Sequence, residues 1–165
     1  MTIKELLEEC REEMHTALII QRRREELALS LLPHGRTIHQ IQIHGYKHAE
    51  DPLSEYAAEA CEMDRKLARQ QERILRKQQI ADMYISTLKK ERHKQILGIY
   101  YMTFCIYNRT MTYPSGKTKT VRVRGLHSWQ TTAQEIGVDE KTIYRDLQAL
   151  NKKFMKKGVN VSMKL

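Results

Sequence analysis

Residues 129–154 read WQTTAQEIGVDEKTIYRDLQALNKKF, and the spacing of small, apolar and capping residues along this run decides how the C-terminal part of the chain folds. Ala133 is small where two helices would cross, Gly137 stands four residues later at a turn, and Val138 and Ile143 are placed to fill the space between the helices. That spacing predicts a helix-turn-helix. Asp139 is a good N-cap because its carboxylate can accept from the free amides of the first turn, so the second helix is expected to start at Glu140. Ile143, Leu147, Leu150 and Phe154 follow at spacings of 4, 3 and 4 and form its buried stripe. The opposite face holds Lys141, Arg145, Gln148 and Lys152, flanked by Thr142 and Tyr144. These residue types suit a groove of double-stranded DNA: Arg can donate two hydrogen bonds to guanine, Gln can pair with adenine, and Lys neutralises phosphate. A helix so built is expected to enter the major groove.

The charge distribution agrees with a polyanionic partner. The net charge is +9, and residues 107–165, with 12 basic and 4 acidic groups, carry +8 of it. Lys153, Lys156 and Lys157 continue the basic run past the reading face, and Gln130 and Thr131, at the start of the first motif helix, join the expected DNA-facing set. Upstream, MTYPSGKTKTVRVRG breaks the helical pattern. Pro114, Ser115 and Gly116 signal a turn, and Thr118, Thr120, Val121 and Val123 favour a strand, so an inserted hairpin is expected at about residues 107–125. Its Lys117, Lys119, Arg122 and Arg124 would serve as a wing on the DNA backbone, to which VNVSMKL, residues 159–165, could add a strand. GKT at 116–118 lacks the first glycine and the following helix of a phosphate-binding loop.

Further towards the N-terminus the pattern is helical. A helix can run through Ile96, Leu97, Tyr100, Tyr101 and Phe104. Before it, Asp51 as N-cap and Pro52 at the first position open a long helix in which Leu53, Ala60, Leu67, Ile74, Ala81 and Leu88 recur every seven residues. The partner row of that seam is expected at Ala57, Asp64, Gln71, Gln78 and Ile85, half of it polar. In the first helix Ile3, Leu7, Cys10, Met14, Ala17, Ala28 and Leu31 follow a similar seam, interrupted by Gln21 and Arg24, and Pro33 ends it. Residues 33–50 read as a loop with one short strand at 37–43. The seams suit an antiparallel helical hairpin or a homodimer. The expected fold is therefore mainly α: a helical coiled-coil and oligomerisation arm over 1–90, then a helix-turn-helix domain over 91–165 carrying a small basic β-hairpin.

Several classes fall away. The acidic N-terminus lacks the basic start and apolar run of a signal peptide, and no apolar stretch approaches the roughly 20 residues of a membrane span, so a soluble cytoplasmic protein is expected. Cys10, Cys61 and Cys105 are odd in number and widely spaced, which fits reduced thiols. His34, His39, His44 and His48, at spacings of 5, 5 and 4, match no zinc pattern and read as solvated loop residues, so neither a metal nor a cofactor is expected. No nucleophile elbow, carboxylate pair or glycine-rich cradle points to an enzyme.

Taken in order, DPLSEYAAEACEMDRKL, HKQILGIYYM and SWQTTAQEIGVDEKTIYRDLQAL resemble phage late-gene transcriptional regulators of the RinA and ArpU type, whose C-terminal part is similar to region four of bacterial sigma factors. The resemblance covers roughly residues 51–155. It implies a sequence-specific regulator of phage or prophage origin, an activator of late transcription in the bacterial cytoplasm with host RNA polymerase as a further partner. It places Trp129 and Ala133 on the first motif helix and Lys141, Thr142, Tyr144 and Arg145 on the reading helix. TIYRDLQAL also resembles winged-helix repressors of sugar operons. A small terminase subunit, which binds DNA for packaging, joins the same kinds of element and is the alternative. The chain departs from the phage regulators in the 25 or so residues, with the hairpin, between the tyrosine-bearing helix and Trp129.

Overall fold

The computed structural model describes residues 1–30, 52–112 and 116–159. Within them lie α1 (Ile3–Ser30), α2 (Pro52–Ser86), α3 (Glu91–Met102), β1 (Phe104–Thr112), β2 (Thr118–Leu126), α4 (Trp129–Ile136) and α5 (Glu140–Lys153). The fold is mainly α with one small antiparallel hairpin. No described helix is long and apolar enough to cross a membrane.

Helices α1 and α2 form an antiparallel pair: Arg24, near the end of α1, meets Asp64 near the start of α2, and Glu13 meets Lys77 further along. Helix α1 buries Ile3, Leu6, Leu7, Cys10, Met14, Ala17 and Leu18, a stripe at helical spacing. The apolar stripe of α2 is thus covered by α1 of the same chain, the hairpin alternative of the two arrangements its heptads allow. The partner row of the seam differs from the expectation. Met63 and Gln70 are buried and Lys77 half-buried, whereas Asp64 and Gln71 are exposed, because a single helix covers α2 along this part and it lies towards the 63–70–77 side. Only where α3 joins the packing do Gln78 and Ile85 sink as well. Polar groups within the seam are paired. Arg24 Nε and Nη2 donate to Asp64 at 2.5 and 3.0 Å, Lys77 Nζ lies 2.9 Å from Glu9 and 3.1 Å from Glu13, and Gln70 Nε2 donates to the Glu13 backbone carbonyl at 3.0 Å. Burial would raise the Glu13 carboxyl, but the hydrogen bonds from Lys77 and Gln70 outweigh it and hold it below its ordinary value. Burial pushes the Cys10 thiol up to about 11, so it behaves as an inert apolar side chain; all three cysteines are free. Pro52 opens α2 as expected, while Asp51, the loop at 33–50 with its strand, and the histidines at 34, 39, 44 and 48 lie outside the described residues.

One apolar cluster joins the end of this pair to everything downstream. Ile3, Leu6 and Leu7 of α1, Ala81 and Ile85 of α2, and Ile96, Leu97 and Tyr101 of α3 pack with Ala133 of α4 and with Ile143, Leu147 and Leu150 of α5. Phe154 and Met155 complete the cluster. The chain ends reinforce it: Ile3 N donates to Lys157 O at 3.0 Å, Lys4 N to Met155 O at 3.1 Å, and Val159 N to Met1 O at 2.9 Å. This cluster joins residues on both sides of the boundary expected at residue 90. Gly158 bridges Thr2 and Val159, the first residue of the expected C-terminal strand, donates to Met1 O, while residues 160–165 lie outside the described residues.

Helix α3 stops at Met102, because Thr103 is extended at φ −123°, ψ 155°. Phe104, expected within that helix, instead opens β1, where Phe104, Ile106 and Tyr107 favour a pleated strand. The hairpin spans Phe104 to Leu126, longer than expected, with Ile106 opposite Arg124 and Thr110 opposite Thr120. Its root is anchored. Phe104 and Leu126 pack on a second cluster of Cys10, Met14, Ala17 and Ile74. A Cβ at Gly125 would come within 2.5 Å of the Tyr107 ring, so only glycine lets that ring lie across the strand pair. Residues 113–115 of the expected turn are not described, but Gly116 has φ +77°, as a glycine turn requires.

Candidate nucleic-acid interface

The motif forms by local rules. Ser128 caps α4: its hydroxyl accepts from Thr131 N at 3.1 Å, and Thr131 Oγ1 accepts in return from Ser128 N at 2.8 Å. Gly137, at φ +73°, ends α4, with Val138 N donating to Ala133 O at 3.0 Å. Asp139 then caps α5, accepting from Lys141 N at 3.4 Å. Lys152 and Lys153 in the last turn of α5 complement the carbonyl end of its dipole.

Burial divides α5 into two faces. Ile143, Leu147 and Leu150 are buried, and Lys141, Tyr144, Arg145, Gln148 and Lys152 are exposed along one stripe at helical spacing. Tyr144 is 57% exposed, a large aromatic held out to solvent. Arg145 Nη2 lies 3.4 Å from Thr142 Oγ1, a loose contact that leaves the guanidinium free to reorient. Lys153, Lys156 and Lys157 are exposed beyond this stripe, with the Lys157 ammonium 5.8 Å from the Phe154 ring centre. Gln130 is exposed on α4, but Thr131 is half-buried with its hydroxyl committed to the cap, so its side chain has a structural duty of its own.

The basic hairpin residues do not form one surface. Directly opposed residues share a sheet face, so Arg122 and Arg124 lie on the face of Phe104 and Ile106, while Lys119 lies on the other with Tyr107 and Arg109. Lys117 sits in the connection. Arg124 lines a cleft against α1 and α2 rather than the outer rim of a wing.

Sequence reasoning missed the residues that aim the motif. Asp146 of α5 is buried, and Arg92 Nε of α3 donates to it at 2.6 Å. The other carboxylate oxygen lies 3.3 Å from Nε2 of the buried His93, an electrostatic contact without hydrogen-bond alignment. Burial alone would raise the Asp146 carboxyl, yet Arg92 and His93 together hold it below its ordinary value. The signal was present: residue 146 falls between 143 and 150 on the buried stripe, where a charge must have a partner. A second tie comes from Arg11 of α1, which stands 3.8 Å over the Tyr100 ring and donates to the carbonyls of Tyr100 and, at 2.7 Å, His127. Tyr100 in turn stacks on Trp129, the first residue of α4, with ring centres 3.3 Å apart and planes at 6°. Both ties fix the two motif helices to α1 and α3. No family model matches this chain, and neither curated proteins nor solved structures give a significant match.

Proposed function

We propose that the protein is a sequence-specific, double-stranded-DNA-binding regulator of transcription whose helix α5 enters the major groove. One observation carries the reading: the exposed stripe of Lys141, Tyr144, Arg145, Gln148 and Lys152, backed by a fully buried apolar stripe and a motif turn at Gly137. A helix of 14 residues is about 21 Å long, and the major groove, about 12 Å wide, admits it. In this role Arg145 donates to guanine, Gln148 pairs with adenine, and Lys141 and Lys152 meet phosphates on either side. The hairpin adds backbone contacts through Lys117 in the connection and Lys119 on the sheet face opposite Arg124. Phage or prophage origin, activation of late genes, a cytoplasmic location and a contact with host RNA polymerase rest on the resemblance to the RinA and ArpU regulators.

The test is binding to specific and scrambled duplexes across a salt series, after the protein's own sites have been mapped on phage and host genomes. Arg145→Ala should cost about 1–3 kcal/mol on the specific duplex and relax preference at one or two base pairs. Equal loss on both duplexes would refute reading by α5. Occupancy confined to a packaging site instead of a promoter would move the protein to the small-terminase class.

A further inference from the structure

Between α1, α2 and the root of the hairpin lies a cleft of about 340 Å³ that DNA reading by α5 does not use. Leu67, Ile74, Leu75 and Phe104 make it largely apolar, and its volume falls at the small end of recognition pockets, roughly 300–1,000 Å³. Leu75, on the wall of the cleft, is 58% exposed. A large apolar side chain left open beside a half-buried apolar floor marks a contact surface more than scattered exposure would. The charge is one-sided. Among the described residues no carboxylate lines the cleft, whereas Arg124 does, and neither it nor Arg122 on the same sheet face has an ion-pair partner there. The Gln71 side chain on the α2 wall likewise makes no hydrogen bond among them.

We propose that this cleft docks an amphipathic helix of a partner protein, with leucine-like anchors on one stripe and carboxylates on the flank that lies along β2. The apolar floor offers a sugar-phosphate backbone nothing to pair with, while anchors at i, i+3, i+4 and i+7 of a helix suit it. A second copy of this chain is a poor occupant, because the apolar stripes of α1, α2 and α5 are already buried in its own cores. The unpaired Arg124 supplies the charge that orients the ligand, and Leu75 supplies the contact.

The experiment titrates the intact protein into a labelled helical peptide of about four turns, leucines at the anchor positions and glutamates on both flanks. Binding should weaken about tenfold or more with Leu75→Asp and with Arg124→Glu. A peptide with lysines for the glutamates should bind wild type about tenfold less well and recover on Arg124→Glu. Leu75→Asp should keep the melting temperature and duplex binding of wild type, so loss of the peptide is not loss of the fold. The proposal is overturned if the peptide does not bind, if either variant binds it as wild type does, or if the lysine peptide binds equally. It is overturned in favour of nucleic acid if duplex DNA displaces the peptide and Leu75→Asp weakens duplex binding. A dimer that Leu75→Asp dissociates would overturn it in favour of a second copy. A negative result for Arg145 on DNA would leave these outcomes untouched.

Discussion

Asp146→Asn tests whether the buried carboxylate fixes where α5 stands against α3. The substitution keeps the size of the side chain and removes the charge that Arg92 meets at 2.6 Å and His93 at 3.3 Å. Hydrogen bonds to charged groups contribute about 1.5–3 kcal/mol. Arg92 is 45% exposed, which screens its share, while the buried His93 loses the carboxylate 3.3 Å from its Nε2; a cost of about 2 kcal/mol follows for Asp146. For a chain of 165 residues each kcal/mol lowers the melting temperature by about 2–4 °C, so a fall of about 4–8 °C is expected in circular dichroism melts at neutral pH. The pH dependence has a definite sign. The folded carboxyl sits below its ordinary value, so its contribution is full above about pH 4 and is lost as pH falls through the depressed folded value. The gap between wild type and Asp146→Asn should stay flat from neutral pH to about 5 and close at lower pH. A double-mutant cycle with Arg92→Met isolates the pair, and the two changes should be less than additive. Additivity within about 0.3 kcal/mol, or a gap that widens on acidification, would refute the argument.

Gly137→Ala should cost about 1–2 kcal/mol in chemical denaturation purely through the left-handed backbone, since a Cβ there meets nothing within 4 Å. A change below a few tenths would mean the turn relaxes. Leu7→Ala, fully buried in the cluster that holds α5, should cost about 2–5 kcal/mol and lower duplex affinity together with stability; duplex binding by a stable fragment lacking α1 would contradict the shared core. Replacing Lys156 and Lys157 with Ala should weaken specific and scrambled duplexes alike and flatten the salt dependence by about 0.9 log unit per lost phosphate contact.

The helix-turn-helix was legible because its signals are local: Asp139, Gly137 and the 143–147–150 ladder each act within a few residues, and the structure places all of them as the spacing implied. The hairpin was legible in kind but not in extent. Phe104 sits at the end of a helical pattern, and only its pairing with Leu126 and its burial on α1 make it strand. What the sequence hid was the closure between distant elements. A stripe of heptads says that a helix needs cover, but whether α1 or another copy supplies it depends on a path of chain with no periodic signal. Asp146 carries no local signal of its partner, and its place on the buried ladder required one, which came from Arg92, 54 residues away. Of the residues expected to face DNA, Thr131 is engaged in the α4 cap and Arg124 lines the cleft against α1 and α2.

An apolar seam repeated every seven residues has no memory of which turn belongs opposite which. Leu67, Ile74, Ala81 and Leu88 would pack nearly as well against α1 after a slide of one heptad. The charged pairs remove that freedom. A slide either way would set Gln70 or Tyr84 in the place of Lys77 and strand Glu9 and Glu13, and would offer Arg24 an alanine or a glutamine instead of Asp64. The two long helices thus behave as a ruler with a single notch. Since α1 also brings Arg11 and Ile3 against the downstream helices, the notch that sets their register sets where α5 stands.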